Sequence, residues 1–381
     1  MENKENHKEQ YGLKNEEKYM ALALELAEKG AGFVSPNPMV GAVVVKEGRI
    51  IGTGYHKACG QAHAERNALA DCRESPEGAD LYVTLEPCCH HGSTPPCTEA
   101  ILQSRIARVI VGSRDPNPLV AGNGIRMLRD RGIEVVTGVL KERCDRLNEV
   151  FMHYISTGTP YVVLKYAMTL DGKIAAVSGD SKWITGEEAR HYVHQCRSRY
   201  SSVMTGVGTV LADDPMLNCR IQGGKNPVRI ICDSNLRMPL ESRIAATAAE
   251  IPTILASCCQ NREKEEAYRK CGIKILHTAP KNGRVDLREL MKMLAKLEID
   301  SIFMEGGGNL NWSALESGIV NKVQAYIAPK LFGGTGAKTP VGGVGVERPD
   351  QAFYLDQIST RQIGGDWLIE GKVKKSCLQE S

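Results

Sequence analysis

The sequence predicts two consecutive α/β domains, the first a three-layer sandwich and the second a separate unit with a sheet of its own. Three observations lead there. Strand and helix patterns alternate through both halves, the pattern breaks and restarts around Gly158-Thr159-Pro160, and 381 residues exceed what one hydrophobic core usually organises.

Residues 1–14 are charged and nearly devoid of apolar side chains, which predicts a mobile tail. From Asn15 the pattern changes. Asn15 suits a helix N-cap with Glu16 and Glu17 in the first turn, Met20, Leu22, Leu24 and Leu26 provide apolar positions, and Gly30 ends the helix. The stretches 41–46 and 49–55, joined by Glu47-Gly48, read as a β-hairpin. A helix from His63, a strand over 81–85, a helix after Cys97, a strand over 108–111, a helix over 125–131, a strand over 133–136 and one helix over 141–157 complete the first unit. The second restarts with a strand over 161–167 and continues with strands over 202–205, 228–232, 253–256, 273–276, 301–304 and 322–328, with helical patterns between several of them. The expected organisation is a tail over 1–14, a first domain over 15–158 and a second over 159–381, with no internal repeat relating the halves.

Composition narrows the function classes. Hydrophobic residues at 42% and charged residues at 24% allow both halves to bury real cores. The formal charge is only +3 and no Lys/Arg run could follow a phosphate backbone, so a nucleic-acid polymer is not an expected partner. No stretch approaches the ~20 apolar residues of a membrane span, and the start is polar rather than signal-like, so no membrane partner and a cytoplasmic location are expected. Thirteen cysteines, an odd number in a long chain without an export pattern, read as thiols with a few held for metal. Cys232, Cys258 and Cys259 read as small buried hydrophobes.

His63-Ala64-Glu65, Pro87-Cys88 and Cys97 together offer one imidazole, two thiolates and one free carboxylate. That set suits a hydrolytic zinc site: His63, Cys88 and Cys97 as ligands leave the fourth tetrahedral position to water, whose pKa the metal lowers, and Glu65 moves protons. Zinc nucleobase deaminases use this division of labour. Residues i and i+2 of a helix point to nearly opposite sides, so His63 and Glu65 can share one zinc ion only over a helix N-terminus. If Cys97 also opens a helix, both helix dipoles favour a thiolate there. The competing reading is a closed structural zinc knot with Cys89, His90 or His91 as fourth ligand. Eight residues separate Cys88 from Cys97, so the short Cys-x-x-Cys form of the deaminase signature is absent.

The longer run Pro87-Cys88-Cys89-His90-His91-Gly92-Ser93-Thr94-Pro95-Pro96-Cys97, with Asn37-Pro38-Met39-Val40-Gly41 and Gly54-Tyr55-His56 upstream, resembles the deaminase half of the bifunctional riboflavin-biosynthesis proteins. The resemblance implies a cytidine-deaminase-like fold, and that Asn37, His56 and His90 line the pocket for a pyrimidine ribose-phosphate. Taken alone, His56 would more often be a surface or core histidine.

In the second half no Gly-x-Gly-x-x-Gly fingerprint follows a strand, so an ordinary Rossmann domain is not expected. Instead a strand at 301–304 leads into Glu305-Gly306-Gly307-Gly308 and a helix from Asn309 to Ser317, a turn that is either plain or able to hold a phosphate on exposed amides. Around it, Lys165-Tyr166-Ala167-Met168-Thr169-Leu170-Asp171-Gly172-Lys173, Ser181-Lys182-Trp183-Ile184-Thr185-Gly186 and Gly206-Val207-Gly208-Thr209-Val210-Leu211-Ala212-Asp213-Asp214-Pro215 resemble the reductase half of the same proteins. That resemblance spans about residues 16–370 in all. It implies a dihydrofolate-reductase-like fold that takes hydride from NADPH. It further implies that Ala167, Trp183, Thr209, Asp213, Ser234 and Gly307, Gly308, Asn309, Leu310, Asn311, Trp312 and Ser313 contact NADPH, and that Lys165, Ser181, Arg197, Leu217, Arg220 and Glu305 contact substrate. Arg197 and Arg220 suit a phosphate monoester, since a guanidinium is permanently charged and forms bidentate hydrogen bonds; either alone reads as a solvated surface charge. Asp171 is equally a turn cap before Gly172. By analogy with its fold the protein is expected to be a homo-oligomer, dimer or tetramer, with one zinc per chain. Two rivals remain: a zinc deaminase for RNA adenosine or free cytidine fused to an unrelated domain, and a non-catalytic NADPH-binding sensor with structural zinc.

Overall fold

Alternation of side chains along the central strands builds the first unit. Ala42 and Val44 face one helical layer with Leu81, Val83, Val109 and Val111. Val43 and Val45 face the other, with Tyr82 and Ile110. A sheet apolar on both faces must be covered twice, and the result is a three-layer sandwich. The computed structural model describes residues 2–91, 95–118 and 120–374, with side chains of the first helix from Asn15 onward. Gly92, Ser93 and Thr94 of the long cysteine run, and the chain after Lys374, lie outside the described residues. The chain divides into two compact units, Met1–Gly158 and Thr159–Ser381.

The first unit runs α1 (Glu2–Glu28), β1 (Gly41–Lys46), β2 (Arg49–Tyr55), α2 (Ala64–Ala70), β3 (Asp80–Leu85), α3 (Cys97–Gln103), β4 (Arg108–Ser113), α4 (Asn123–Asp130), β5 (Glu134–Thr137), α5 (Lys141–Leu147) and α6 (Glu149–Thr157). Its sheet order is β2-β1-β3-β4-β5; β1 is antiparallel to both neighbours, and β3, β4 and β5 are parallel. Two expectations need correction. Residues 2–14, read as a tail, are the first part of α1, a Pro-free stretch rich in good helix formers that extends the helix beyond Asn15. The single helix read over 141–157 is two, broken at Asn148, whose backbone leaves helical geometry at φ −105°, ψ 24°. The break frees the Asn148 side chain to bind a loop far away in sequence. Its amide accepts from Met39 N at 2.8 Å and donates to Met39 O at 2.8 Å.

Glycines in β2 set the seat of α2. A Cβ on Gly52 would lie 2.4 Å from the Ala68 carbonyl, and one on Gly54 2.3 Å from Ala68 N and 2.5 Å from Ala64 O. Helix backbone therefore rests on strand backbone at the point where the chain presents His63 and Glu65.

The second unit runs β6 (Tyr161–Thr169), α7 (Glu187–Arg199), β7 (Ser202–Gly206), α8 (Val207–Asp213), β8 (Val228–Cys232), α9 (Arg243–Ala246), β9 (Thr253–Ser257), α10 (Arg262–Lys270), β10 (Ile273–His277), the short pair β11 (Pro280–Lys281) and β12 (Arg284–Val285), α11 (Leu287–Ala295), β13 (Ser301–Met304), α12 (Gly308–Glu316), β14 (Val320–Ala328), β15 (Leu355–Ile363) and β16 (Asp366–Val373). Its nine-stranded sheet has the order β10-β9-β8-β7-β13-β6-β14-β16-β15, parallel up to β14, with β16 antiparallel to β14 and β15. Leu287, Leu290, Met291 and Leu294 of α11 and Ala314 and Leu315 of α12 pack on Val162, Leu164, Met204 and Ile230 of the central strands. The parallel strands deliver their carboxyl ends to one edge, where ligands of open α/β sheets bind.

Candidate active sites

In the first unit the chain gathers its chemistry at two helix starts. His63 is the N-cap of α2, in extended geometry, and Cys97 is the first residue of α3. His63, Cys88 and Cys97 place their ligand atoms within 4.8 Å of one another, with His63 Nδ1 3.5 Å from Cys88 Sγ and 3.4 Å from Cys97 Sγ. Cys97 N–H donates to Cys88 Sγ at 3.3 Å, so the opening amide of α3 supports a thiolate. Hydrogen bonding from Cys97 and His63 holds the Cys88 thiol far below its usual range, whereas Cys97 is pushed up as the donor of the pair. One buried proton shared between two thiols is what a metal would displace, and the soft, three-membered donor set fits zinc. Cys89, His90 and His91 stand outside the cluster among the described residues, and His91 lies 3.8 Å from Glu99 instead, so the closed four-ligand knot does not form from them.

Glu65 is 3% exposed. Burial, reinforced by the negative Cys88, pushes its carboxyl up to about 7. His56 is buried, and burial lowers its pKa, so the ring is neutral; its Nδ1 donates to Ala62 O at 3.2 Å, leaving Nε2 to accept from Asn37 Nδ2 at 3.3 Å. The His56 and His63 rings meet edge to face at 5.4 Å. His90 is exposed. Two supporting residues were missed in the sequence. Asn148 clamps the Asn37-Pro38-Met39 loop through Met39, and Glu86, 3% exposed, accepts from Gly122 N at 3.0 Å and Ile125 N at 3.1 Å, fixing α4 beside Pro87-Cys88. A buried polar residue at a helix break or strand end was the available signal in both cases.

In the second unit Lys165 on β6, Arg197 on α7 and Glu305 after β13 converge. Arg197 Nε and Nη2 donate to Glu305 at 2.5 and 3.0 Å, and Lys165 Nζ lies 3.4 Å from it. Burial alone would raise the Glu305 pKa, but Arg197 and Lys165 hold it at about 2. The glycine turn packs tightly: a Cβ on Gly306 would sit 2.6 Å from Asn311 Oδ1, and one on Gly308 2.8 Å from Thr339 O, while the side of Gly307 opens towards the Thr209 hydroxyl. Gly307 is the N-cap of α12, which has neither a side-chain cap nor an acid in its first turn; α8, with Thr209 near its start and Asp213 at its end, has none either. Free amides, a hydroxyl and no acid in either first turn form a cradle that fits a dinucleotide phosphate. Ala167 lies near the end of β6. Trp183 is exposed beneath Arg190, 4.6 Å from its ring centre. Ser181 is partly buried and Leu217 is buried at φ +50°. Ser234, just past β8, accepts from Val285 N at 3.2 Å. Arg220 is exposed, its Nε donating to His194 Nε2 at 3.2 Å. Asp171 accepts from Phe332 N at 3.1 Å and Gly333 N at 2.6 Å, so it caps a loop.

Residues 13–113 match the cytidine and deoxycytidylate deaminase zinc-binding region, and residues 160–369 the RibD C-terminal domain. The riboflavin biosynthesis protein RibD of Actinobacillus pleuropneumoniae is 54% identical over 352 residues, 92% of this chain and 94% of that protein. This chain belongs to the RibD family. The RibD of Escherichia coli K12 is 41% identical over 332 residues, 84% of this chain and 89% of that one. Among solved structures, an Acinetobacter baumannii RibD superposes with a TM-score of 0.85 at 36% identity, covering 95% of this chain and all of the other. A Thermotoga maritima protein described as a diaminohydroxyphosphoribosylaminopyrimidine deaminase/5-amino-6-(5-phosphoribosylamino)uracil reductase does so at 0.82 and 38% identity, with the same coverage. As a RibD-family member the chain is a bifunctional enzyme of riboflavin biosynthesis, with a zinc-binding deaminase domain followed by a reductase domain. The rival of a deaminase fused to an unrelated domain is thereby set aside. No helix among the described residues is long and apolar enough to cross a membrane.

Proposed function

We propose that the first domain, over 15–158, hydrolyses 2,5-diamino-6-(5-phosphoribosylamino)pyrimidin-4(3H)-one to 5-amino-6-(5-phosphoribosylamino)uracil and ammonia, and that the second, over 159–381, reduces the ribosyl unit to ribityl with NADPH. The observation that carries this reading is the three-ligand cluster within 4.8 Å with Glu65 buried beside it, on a chain whose second domain matches the RibD C-terminal domain.

His63, Cys88 and Cys97 would hold zinc, which would supply a Lewis acid able to make water nucleophilic near neutral pH. Glu65, whose carboxyl binds a proton up to about pH 7, takes one from the attacking water and delivers it to the ring amine, which leaves as ammonia. Asn37 and the neutral His56 orient the pyrimidine edge, and His90 meets the ribose-phosphate.

Bound NADPH would supply a hydride for C1′ of the ring-opened sugar, whose C1′–O4′ bond has broken and whose O4′ takes up a proton to become a ribityl hydroxyl. The first-turn amides of α12, at Gly308, Asn309 and Leu310, with the Thr209 hydroxyl would hold the cofactor's phosphates, and Gly307, Asn311, Trp312, Ser313, Ala167, Trp183, Asp213 and Ser234 would complete its site. Lys165, Ser181, Arg197, Leu217, Arg220 and Glu305 contact the substrate, the two arginines being of the type that suits its phosphate. Both substrates are small molecules. The same reading makes the enzyme a cytoplasmic homo-oligomer, dimer or tetramer, supported by the nine-residue edge strand β15 with Ile358 60% exposed and tested by its mass in solution.

The decisive experiment follows ammonia release and NADPH oxidation together in zinc-loaded protein. Glu65→Gln should keep its zinc, stop ammonia release, and oxidise NADPH only when the deaminated intermediate is supplied. Oxidation without that intermediate would refute the sequential reading.

A further inference from the structure

The chain between α8 and β8 carries Leu217 and Arg220 but belongs to no strand or helix. It is laced to α7 instead. Arg197 Nη1 donates to Asn218 O at 3.0 Å, Cys219 Sγ to His194 O at 3.5 Å, and Ser198 Oγ accepts from Lys225 N at 2.9 Å. The two arginines that suit a phosphate monoester are then in different electrostatic states. Arg197 spends its Nε and Nη2 donors on Glu305, which cancels its charge. Arg220 has no carboxylate on it among the described residues: its Nε donates to the imidazole Nε2 of His194 at 3.2 Å, and the guanidinium is exposed.

We infer that His194 is a positioning residue for the reductase substrate, a neutral imidazole that grips Arg220 by Nε and turns its Nη edge, with the full positive charge, towards the substrate phosphate. A carboxylate at this place would hold Nε equally well but would cancel the charge that a dianion needs. The surroundings keep the ring neutral: burial, then Arg197 and Arg220, hold its pKa at about 4 against the opposing Glu305 and Asn218 carbonyl. Its Nδ1 is buried and makes no well-formed hydrogen bond, so the directed contact of the ring is the one at Nε2. The inference rests on the proposed reductase reading, in which Arg220 meets the phosphate.

The test is steady-state kinetics of the full-length enzyme with 5-amino-6-(5-phosphoribosylamino)uracil and with its dephosphorylated riboside. His194→Ala should raise KM for the phosphorylated compound about tenfold, the order expected when one orienting hydrogen bond to a charged group is lost. It should leave kcat, the NADPH KM and the riboside KM within about twofold. His194→Gln, whose amide oxygen can accept from Nε, should recover most of the loss. Unchanged KM in His194→Ala, an equal rise for the riboside, or a joint fall in kcat and NADPH binding that Gln does not rescue would each overturn the inference. Arg220→Ala separates the two levels: if it raises KM for the phosphorylated compound and His194→Ala does not, only the role of His194 falls, whereas if Arg220→Ala has no effect the phosphate assignment falls with it.

Discussion

Replacing Glu305 by Gln removes one buried negative charge from between two cations, and its cost can be worked out in two ways. The side chains of Glu305, Arg197 and Lys165 are 11%, 13% and 15% exposed, so solvent screens them little. Removing one partner of a buried pair typically costs about 3–5 kcal/mol, because the remaining charge is stranded. Independently, a fall of the Glu305 pKa from 4.5 to about 2 corresponds to about 3 kcal/mol at ~1.36 kcal/mol per unit. Because the folded pKa is depressed, this stabilisation is complete above the unfolded value of 4.5 and is lost as pH falls towards 2. The assay isolates one unit. The three tryptophans of the chain, Trp183, Trp312 and Trp367, all lie in the second unit, so their fluorescence in a urea titration follows that unit alone; urea, unlike guanidinium, leaves the ion pairs unscreened. Glu305→Gln should unfold about 3 kcal/mol more easily at pH 7, with the gap to the parent protein narrowing below pH 4.5. A gap under about 1 kcal/mol, or one that does not change with pH, would refute the view of Glu305 as a buried, ionised clamp.

Three other outcomes are expected. Cys97→Ser should lower bound zinc well below one per chain and abolish ammonia release, while NADPH oxidation with supplied intermediate continues; metal analysis of the purified protein checks it. Gly54→Ala drives a Cβ to 2.3 Å from Ala68 N, and should destabilise the first unit by about 1–3 kcal/mol and weaken zinc retention during dialysis against a chelator. Asn148→Ala leaves the N–H and C=O of Met39 without their partner and should cost about 1–3 kcal/mol in thermal unfolding, with a raised deaminase KM, since Asn37 is two residues away.

Much of this was legible because the deciding forces are local. The hairpin 41–55 follows from alternation and a Glu47-Gly48 turn, and its strands fall as read. The zinc cluster was legible from its donor set, one imidazole, two thiols and a carboxylate, and because His63 and Glu65 can share one ion only over a helix start, where His63 is found. Elements that failed to declare themselves answer to distant partners. Asn148 looks like one polar residue within a helix until Met39 is brought to it. β15 has almost every side chain exposed, so it carries no buried face to print an apolar rhythm on the sequence. Arg197 and Arg220 looked alike as charges; only the fold sets Glu305 against one and His194 against the other.

The seat of α2 on Gly52 and Gly54 limits how this deaminase can change. A helix held by side chains can be tilted by exchanging a Leu for a Met, but one resting on bare main chain has no adjustable shim. Any larger residue lifts it, and His63 and Glu65 move together. On the proposed reading, variation in what the pocket accepts must therefore arise in the segments around Asn37, His56 and His90 and not in the floor beneath the metal site.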